Sequence, residues 1–316
     1  MSVTCLAIGD PHFKASNIVE STQMVERICQ KAAGLKPTFI VCLGDILHTH
    51  EKIHIEPLCL ATNFIERLSN YAPTYLIIGN HDRPNNSDFL TTRHAFNGLK
   101  GKSNIHIIDT TAQAYIGDHR FLFVPYVYPG RFMEALNYVE QPISNTRAIF
   151  AHQEFLGAKM GAIQSSAGDP WPISHPLVIS GHVHDYDDLQ TNIIYTGTPM
   201  QHSFGEKPNK TISSFKFNPC SSDHSYLSNE GWEHSRIDLD LIKRKIIHFK
   251  YSEFDFNWVP PPNILTKLVL SGSTPELKAI RKHPRMIELT KMGVSIQYHT
   301  VDTTSSAPTD LAQSRQ

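Results

Sequence analysis

A chain of 316 residues can hold one large α/β domain and a smaller appendage. With 40% hydrophobic residues it can bury a substantial core, and a formal charge of -1 excludes a chain-wide polyelectrolyte surface, so any nucleic-acid footprint must be local. The cysteines Cys5, Cys29, Cys42, Cys59 and Cys220 are odd in number with no CxxC pair, which suits a reducing compartment. No apolar run reaches the length of a membrane span, and Met1 leads straight into a strand pattern. A soluble intracellular protein, in cytoplasm or nucleus, is expected.

In chain order, 3–8 reads as a strand and 19–33 as a helix, with Met24, Val25, Ile28, Cys29 and Ala32 at helical spacing before Gly34 and Pro37. A continuous apolar strand at 39–43 implies a sheet covered on both faces. A helix follows at 55–70, with Leu58, Ala61, Ile65 and Leu68 on one side, then a strand at 75–78. The polar stretch 83–104 reads as a surface or substrate-facing loop. Short strands at 105–108, 113–116 and 121–124 include a hairpin across Gly117-Asp118, giving mixed pairing. A short helix near 131–139 and strands at 148–151, 177–180, 193–196 and 211–217 complete a core of 1–217. The segment 218–263 reads as a β-rich extension, with a hairpin of 232–238 and 244–251 and a stiff Pro260-Pro261-Pro262 linker. A small β-α-β appendage is expected over 264–302, with one helix ending near His283, and a disordered polar tail over 303–316.

Five of these strands end in side chains that bind metals. The first delivers Asp10 and His12, the second Asp45, the third Asn80, His81 and Asp82; later strands deliver His152, then His182 and His184. This oxygen and nitrogen set suits Mn, Fe, Zn or Mg. Seven ligands exceed one tetrahedral ion and suit a pair with a bridging carboxylate. A natural division gives one ion Asp10, His12 and His184 and the other Asn80, His152 and His182, with Asp45 bridging. Such a pair generates hydroxide and clamps a phosphoryl oxygen. His81 is then the candidate acid, Asp82 its orienting carboxylate, and His48 a further group reaching the pocket. Lys159, Arg131 and Lys207 are candidate phosphate contacts.

The ordered series Asp10-Pro11-His12, Gly44-Asp45, Gly79-Asn80-His81-Asp82, His152 and Gly181-His182-Val183-His184 resembles the calcineurin-like metallophosphoesterases. That resemblance implies a four-layer α/β/β/α sandwich, here with a small C-terminal α/β cap-like appendage. Gly44-Asp45-Ile46-Leu47-His48, Asn104-Ile105-His106-Ile107-Ile108 and Tyr195-Thr196-Gly197-Thr198-Pro199 through Phe204-Gly205-Glu206 are similar to the Mre11/SbcD-type nuclease subunits of DNA repair. This finer resemblance implies a DNA exo- or endonuclease with two Mn2+ ions. It also implies a homodimer formed through core helices, for which 55–70 is the candidate. Such members pair with a Rad50/SbcC-like ATPase through a helical segment, from which the short polar tail departs; compact viral and phage members of the family occur. The phosphoprotein branch carries arginines in Gly-Asp-x-x-Asp-Arg and Arg-Gly-Asn-His-Glu that this chain lacks. A small phosphodiester, such as a cyclic nucleotide, is the alternative substrate.

Overall fold

The computed structural model describes residues 2–50, 52–161, 163–219 and 231–301. Cys220, most of the polar 218–231 stretch and the 303–316 tail lie outside the described residues.

The chain opens with β1 (Val3–Ile8), α1 (Ile18–Leu35), β2 (Phe39–Cys42), α2 (Ile55–Ser69), β3 (Thr74–Ile77) and β4 (Ile105–Ile108). These four strands pair in parallel in chain order. β2 and the Cys5–Ile8 end of β1 are unbroken apolar runs because both faces are buried, whereas β4, at the edge, keeps His106 exposed. α1 stops where Lys36 turns left-handed at φ 48° and its N–H bonds back to the Ala32 carbonyl. β5 (Ala112–Ile116) and β6 (His119–Val124) form the expected antiparallel hairpin. They start a second sheet, continued through α3 (Phe132–Leu136), β7 (Ala148–His152), the small hairpin β8 (Lys159–Met160) and β9 (Ile163–Gln164), then β10 (Val178–Gly181), β11 (Asp187–Gln190) and β12 (Ile193–Tyr195). Its order is β11-β12-β10-β7-β6-β5. β13 (Ile212–Phe217) and β14 (Trp232–Ile237) return to the first sheet, antiparallel beside β1 and then at the edge.

Side-chain alternation sorts the layers. Cys5, Ala7, Phe39 and Val41 face Phe121, Phe123 and Phe150 between the two sheets. Leu6, Ile8, Ile40 and Cys42 point the other way, onto Met24, Ile28, Phe64 and Ile65 of the first two helices. Leu122, Val124, Ile149 and Ala151 cover the outside of the second sheet with Phe132, Phe155 and Trp171. The result is the four-layer α/β/β/α sandwich, with a thin outer layer over the second sheet. The α2 stripe that was a candidate dimer surface is spent on the core: Ala61, Ile65 and Leu68 are buried there. Cys5, Cys29 and Cys42 are buried free thiols and Cys59 is exposed. No helix among the described residues is long and apolar enough to cross a membrane.

The chain forms two compact units, one of 1–202 with 206–241 and one of 203–205 with 242 onward. In the second unit β15 (Lys243–Lys250), β16 (Ile264–Gly272) and β17 (Ser295–Thr300) form a parallel sheet in that order. α4 (Thr274–Arg281) and α5 (Pro284–Lys291) pack Leu277, Ile280, Met286 and Leu289 onto Leu268 and Leu270. Three expectations are corrected. The 232–238/244–251 hairpin does not form, because β14 pairs with β13 while β15 pairs with β16. Pro260-Pro261-Pro262 lies inside the second unit, between two strands of one sheet, rather than ahead of it. Pro284 starts a second helix: it needs no N–H at the first position, and the preceding His283 side chain accepts the Arg285 N–H.

Phe150 lies at the centre of the inter-sheet layer, fully buried, with ring centroids 5.7, 5.8 and 5.5 Å from Phe39, Phe121 and Phe123. Phe150→Ala is expected to lower the unfolding free energy by about 3–5 kcal/mol, measured by denaturant titration. A loss below about 1 kcal/mol would mean that the two sheets do not close over this ring.

Candidate metal centre

Asp10 and His12 follow β1, Asp45 and His48 follow β2, and Asn80, His81 and Asp82 follow β3; His152 ends β7, and His182 and His184 follow β10. All five segments leave the carboxyl ends of parallel strands, where backbone groups are free and loops can carry chemistry. The turns there are tight. Asp10, His12, Asp45 and His182 have φ of 25, 46, 49 and 81°. A left-handed non-glycine residue costs about 1–3 kcal/mol. That cost is offset locally: His12 N donates to the Asp45 carbonyl at 3.0 Å and His182 N to the Asp10 carboxylate at 3.1 Å.

Two of the glycines are required by crowding. A Cβ on Gly44 would lie 2.5 Å from His152 Nδ1, and one on Gly79 would lie 2.3 Å from the Asp45 carboxylate. The missing side chains are what let ligand groups from neighbouring strands approach.

One half of the centre is dense. His152 Nδ1 donates to the Leu43 carbonyl at 2.7 Å, which ties the second sheet to the first and turns Nε2 inward. Nε2 then lies 3.0 Å from Asn80 Oδ1, 3.4 Å from Asp45 Oδ2 and 3.3 Å from His182 Nδ1, which is itself 3.1 Å from Asn80 Oδ1. Donor atoms at metal-bond lengths of about 2.0–2.2 Å are separated by about 3.0–3.5 Å, so this spacing fits one ion. Asp45, His152 and His182 form one of two groups whose ligand atoms lie within 4.8 Å of one another.

The other group is His12, His48 and His81. His12 Nε2 is 3.0 Å from His184 Nε2 and 3.7 Å from Asp45 Oδ2, so Asp45 stands between the two groups. His12 Nδ1 faces His48 Nδ1 at 3.5 Å. The carboxylate of Asp10, expected beside His12 and His184, also lies 3.4 Å from His152 Nδ1. Two clusters sharing a carboxylate therefore fit a dinuclear site.

Charge supports the same conclusion. Burial raises Asp10 to about 6, against the pull of His152. It raises Asp82 to about 7, helped by the Asp45 charge. Burial would raise Asp45 too, but the His152 imidazole more than offsets it and holds that carboxyl well below its usual range. His152 moves the opposite way, to about 9, because Asp45 and Asp10 outweigh its burial. Burial drives His12 well down, leaving a neutral lone-pair ring. A pocket with this much buried negative charge is suited to divalent cations.

His81 and Asp82 are arranged differently from expectation. His81 Nδ1 donates to the His48 carbonyl at 2.7 Å, and its Nε2 faces Asp45 Oδ2 at 4.0 Å. Asp82 does not orient it: its carboxylate accepts Leu47 N at 2.9 Å and Gly79 N at 3.1 Å, clamping the loops after β2 and β3. The two side chains diverge because they are consecutive in a turn. Burial also lowers His81 from its ordinary value, with Asp45 opposing. Lys159, Arg131 and Lys207 are paired with Asp187, Glu134 and Asp185.

Sequence reasoning gave Glu206 no role. Its Oε1 lies 3.4 Å from His184 Nδ1 and its Oε2 accepts His202 N at 2.9 Å, while buried Lys210 stands 3.4 Å from Oε2. The signal was present in Phe204-Gly205-Glu206, which follows the strand next to β10. Glu154 lies 3.8 Å from His182 Nε2 in the same way.

Residues 3–186 match the model of the calcineurin-like phosphoesterases, and the chain belongs to that family. It is a metal-dependent phosphoesterase with a fold and a candidate dinuclear centre of that kind. It is 41% identical over 283 residues to "Putative phosphoesterase 244L" of Invertebrate iridescent virus 6, covering 88% of this chain and 97% of that protein. It is 38% identical over 301 residues to "Putative phosphoesterase 078R" of Invertebrate iridescent virus 3, covering 94% and 84%. Among solved structures, "GAP50 the anchor in the inner membrane complex of Plasmodium" aligns at TM-score 0.43 and 16% identity, over 76% of this chain and 85% of its own.

An outward carboxylate fixes the tautomer and basicity of a ligating histidine. Glu206→Gln is expected to weaken binding of one Mn2+ equivalent about 10- to 100-fold by calorimetric titration and leave the other nearly unchanged. Equal affinities in both proteins would show that Glu206 does not act on His184.

Proposed function

We propose that this chain is a DNA exo- or endonuclease of the Mre11/SbcD type, cleaving phosphodiester bonds with two Mn2+ ions. The observation that carries the reading is the pairing of two imidazoles outside the seven-residue ligand set. His48 and His81 stack at 5.7 Å with planes 6° apart, each edge-on to His12. A second observation is a charge asymmetry hidden by the overall -1. Residues 242–301 carry ten lysines and arginines against four acidic residues, which suits a polyanionic substrate.

In this reading Asp10, His12 and His184 would hold one ion and Asn80, His152 and His182 the other, with Asp45 shared between them. The bound pair supplies a hydroxide nucleophile and a clamp on the phosphoryl oxygens. His81 is held by its Nδ1–H bond to the His48 carbonyl, which presents Nε2 towards the centre. To act as the acid the ring must carry a second proton, taken up from solvent at Nε2 beside the Nδ1–H already given to the His48 carbonyl. Nε2 then passes that proton to the departing strand oxygen, and burial, which lowers His81, favours its release. His48, packed along the same side, supports the ring and faces the phosphate. Asp82 acts at a distance, fixing the spacing of the two loops that carry Asp45 and His81.

With Mn2+ present, purified protein is expected to cleave single- or double-stranded DNA. His81→Ala is expected to lose about 10²- to 10⁴-fold in kcat while still binding metal. Turnover of bis-p-nitrophenyl phosphate with no attack on either DNA would contradict the nuclease reading and move the substrate to a small phosphodiester.

A further inference from the structure

Next to His81 is an open cleft of about 620 Å3, lined by His48, Thr49, His50, Lys52, Pro84, Asn85 and Asn86. Its volume is within the range of ligand pockets, about 300–1,000 Å3. It is continuous with the candidate centre through His48, which belongs to the cluster with His12 and His81. His50 extends the ring cluster: its ring lies 4.3 Å from His81 with planes 27° apart, so His81 stacks with both His48 and His50.

The lining points to an anion. No carboxylate occurs among the described lining residues, Glu51 between His50 and Lys52 lying outside them. Lys52 is exposed and has no carboxylate partner among the described residues, unlike Lys159, Arg131 and Lys207. The far wall is built in advance. Asn85 Oδ1 accepts Ser87 N at 3.0 Å and Asp88 N at 2.9 Å, which leaves the Asn85 amide nitrogen to donate. The Asn85 carbonyl is in turn held by buried Arg83 at 3.0 Å, and Arg83 Nη1 is fixed on the Tyr126 carbonyl at 2.8 Å.

We propose that this cleft is a subsite for the phosphate next to the scissile one on a nucleic-acid strand. Lys52 is its counter-charge, and the Asn85 and Asn86 amides are its hydrogen-bonding groups. The subsite rests on the nuclease reading and adds a requirement for substrate length. A strand that reaches past the metal centre gains the Lys52 contact, and a minimal diester does not.

The test is steady-state cleavage of a single-stranded 12-mer by the Mn2+-loaded full chain, its Lys52→Ala variant and its Lys52→Arg variant, over a range of salt concentrations. Lys52→Ala is expected to raise KM about tenfold with little change in kcat. It should also make the slope of log KM against log salt shallower by about 0.7, the share of one single-strand phosphate contact. Lys52→Arg should restore most of both. DNA cleavage with KM and salt slope unchanged in Lys52→Ala would overturn the subsite alone. No DNA cleavage by the wild-type chain would overturn the nuclease reading and the subsite with it.

Discussion

The structure depends on placing mutually repelling groups at one point. Asp10, Asp45 and Asp82 are all nearly fully buried around a single pocket, and four residues of the centre adopt left-handed backbone. Burial in this low-dielectric interior pushes Asp10 and Asp82 up, with the Asp45 charge adding to it, while Asp45 stays low beside His152. Backbone donors and the two inter-sheet ties, His152 to Leu43 and His182 to Asp10, hold the arrangement. Two divalent cations held there would offset the remaining negative charge.

The double sandwich gives this pocket its rigidity. Parallel strands of both sheets point their carboxyl ends at one edge, and an aromatic layer centred on Phe150 fixes the distance between the sheets. Ligands from the first sheet can then meet His152 and His182 from the second to within a few tenths of an ångström, as metal ligation demands. The stack of His48, His81 and His50 leads from that fixed centre to an open cleft. The chemistry and the proposed hold on the strand thus lie side by side.

Much of this was legible in the sequence for physical reasons. Strands buried on both faces are unbroken apolar runs, so β1, β2, β3, β7 and β10 stood out, and each ended in a group too polar to be buried without purpose. Glycines at 44 and 79 marked close approach. What pairs with what was less visible. β14 and β15 alternate only weakly, and nothing local shows that they belong to different sheets. Pro284 reads equally as a stop or a start. Asp82 was misread because adjacency in a turn does not imply contact. Glu206 had no assigned role because its partner His184 lies 22 residues away in sequence and adjacent only in space.

The central claim is that these strand ends exist to hold two cations around Asp45. Its most direct test is Mn2+ stoichiometry by calorimetric titration of the wild-type chain and of Asp45→Asn. The account predicts two equivalents in the wild type and severe weakening of both in the variant. A wild type that binds no Mn2+, or a variant that retains both equivalents at full affinity, would contradict it.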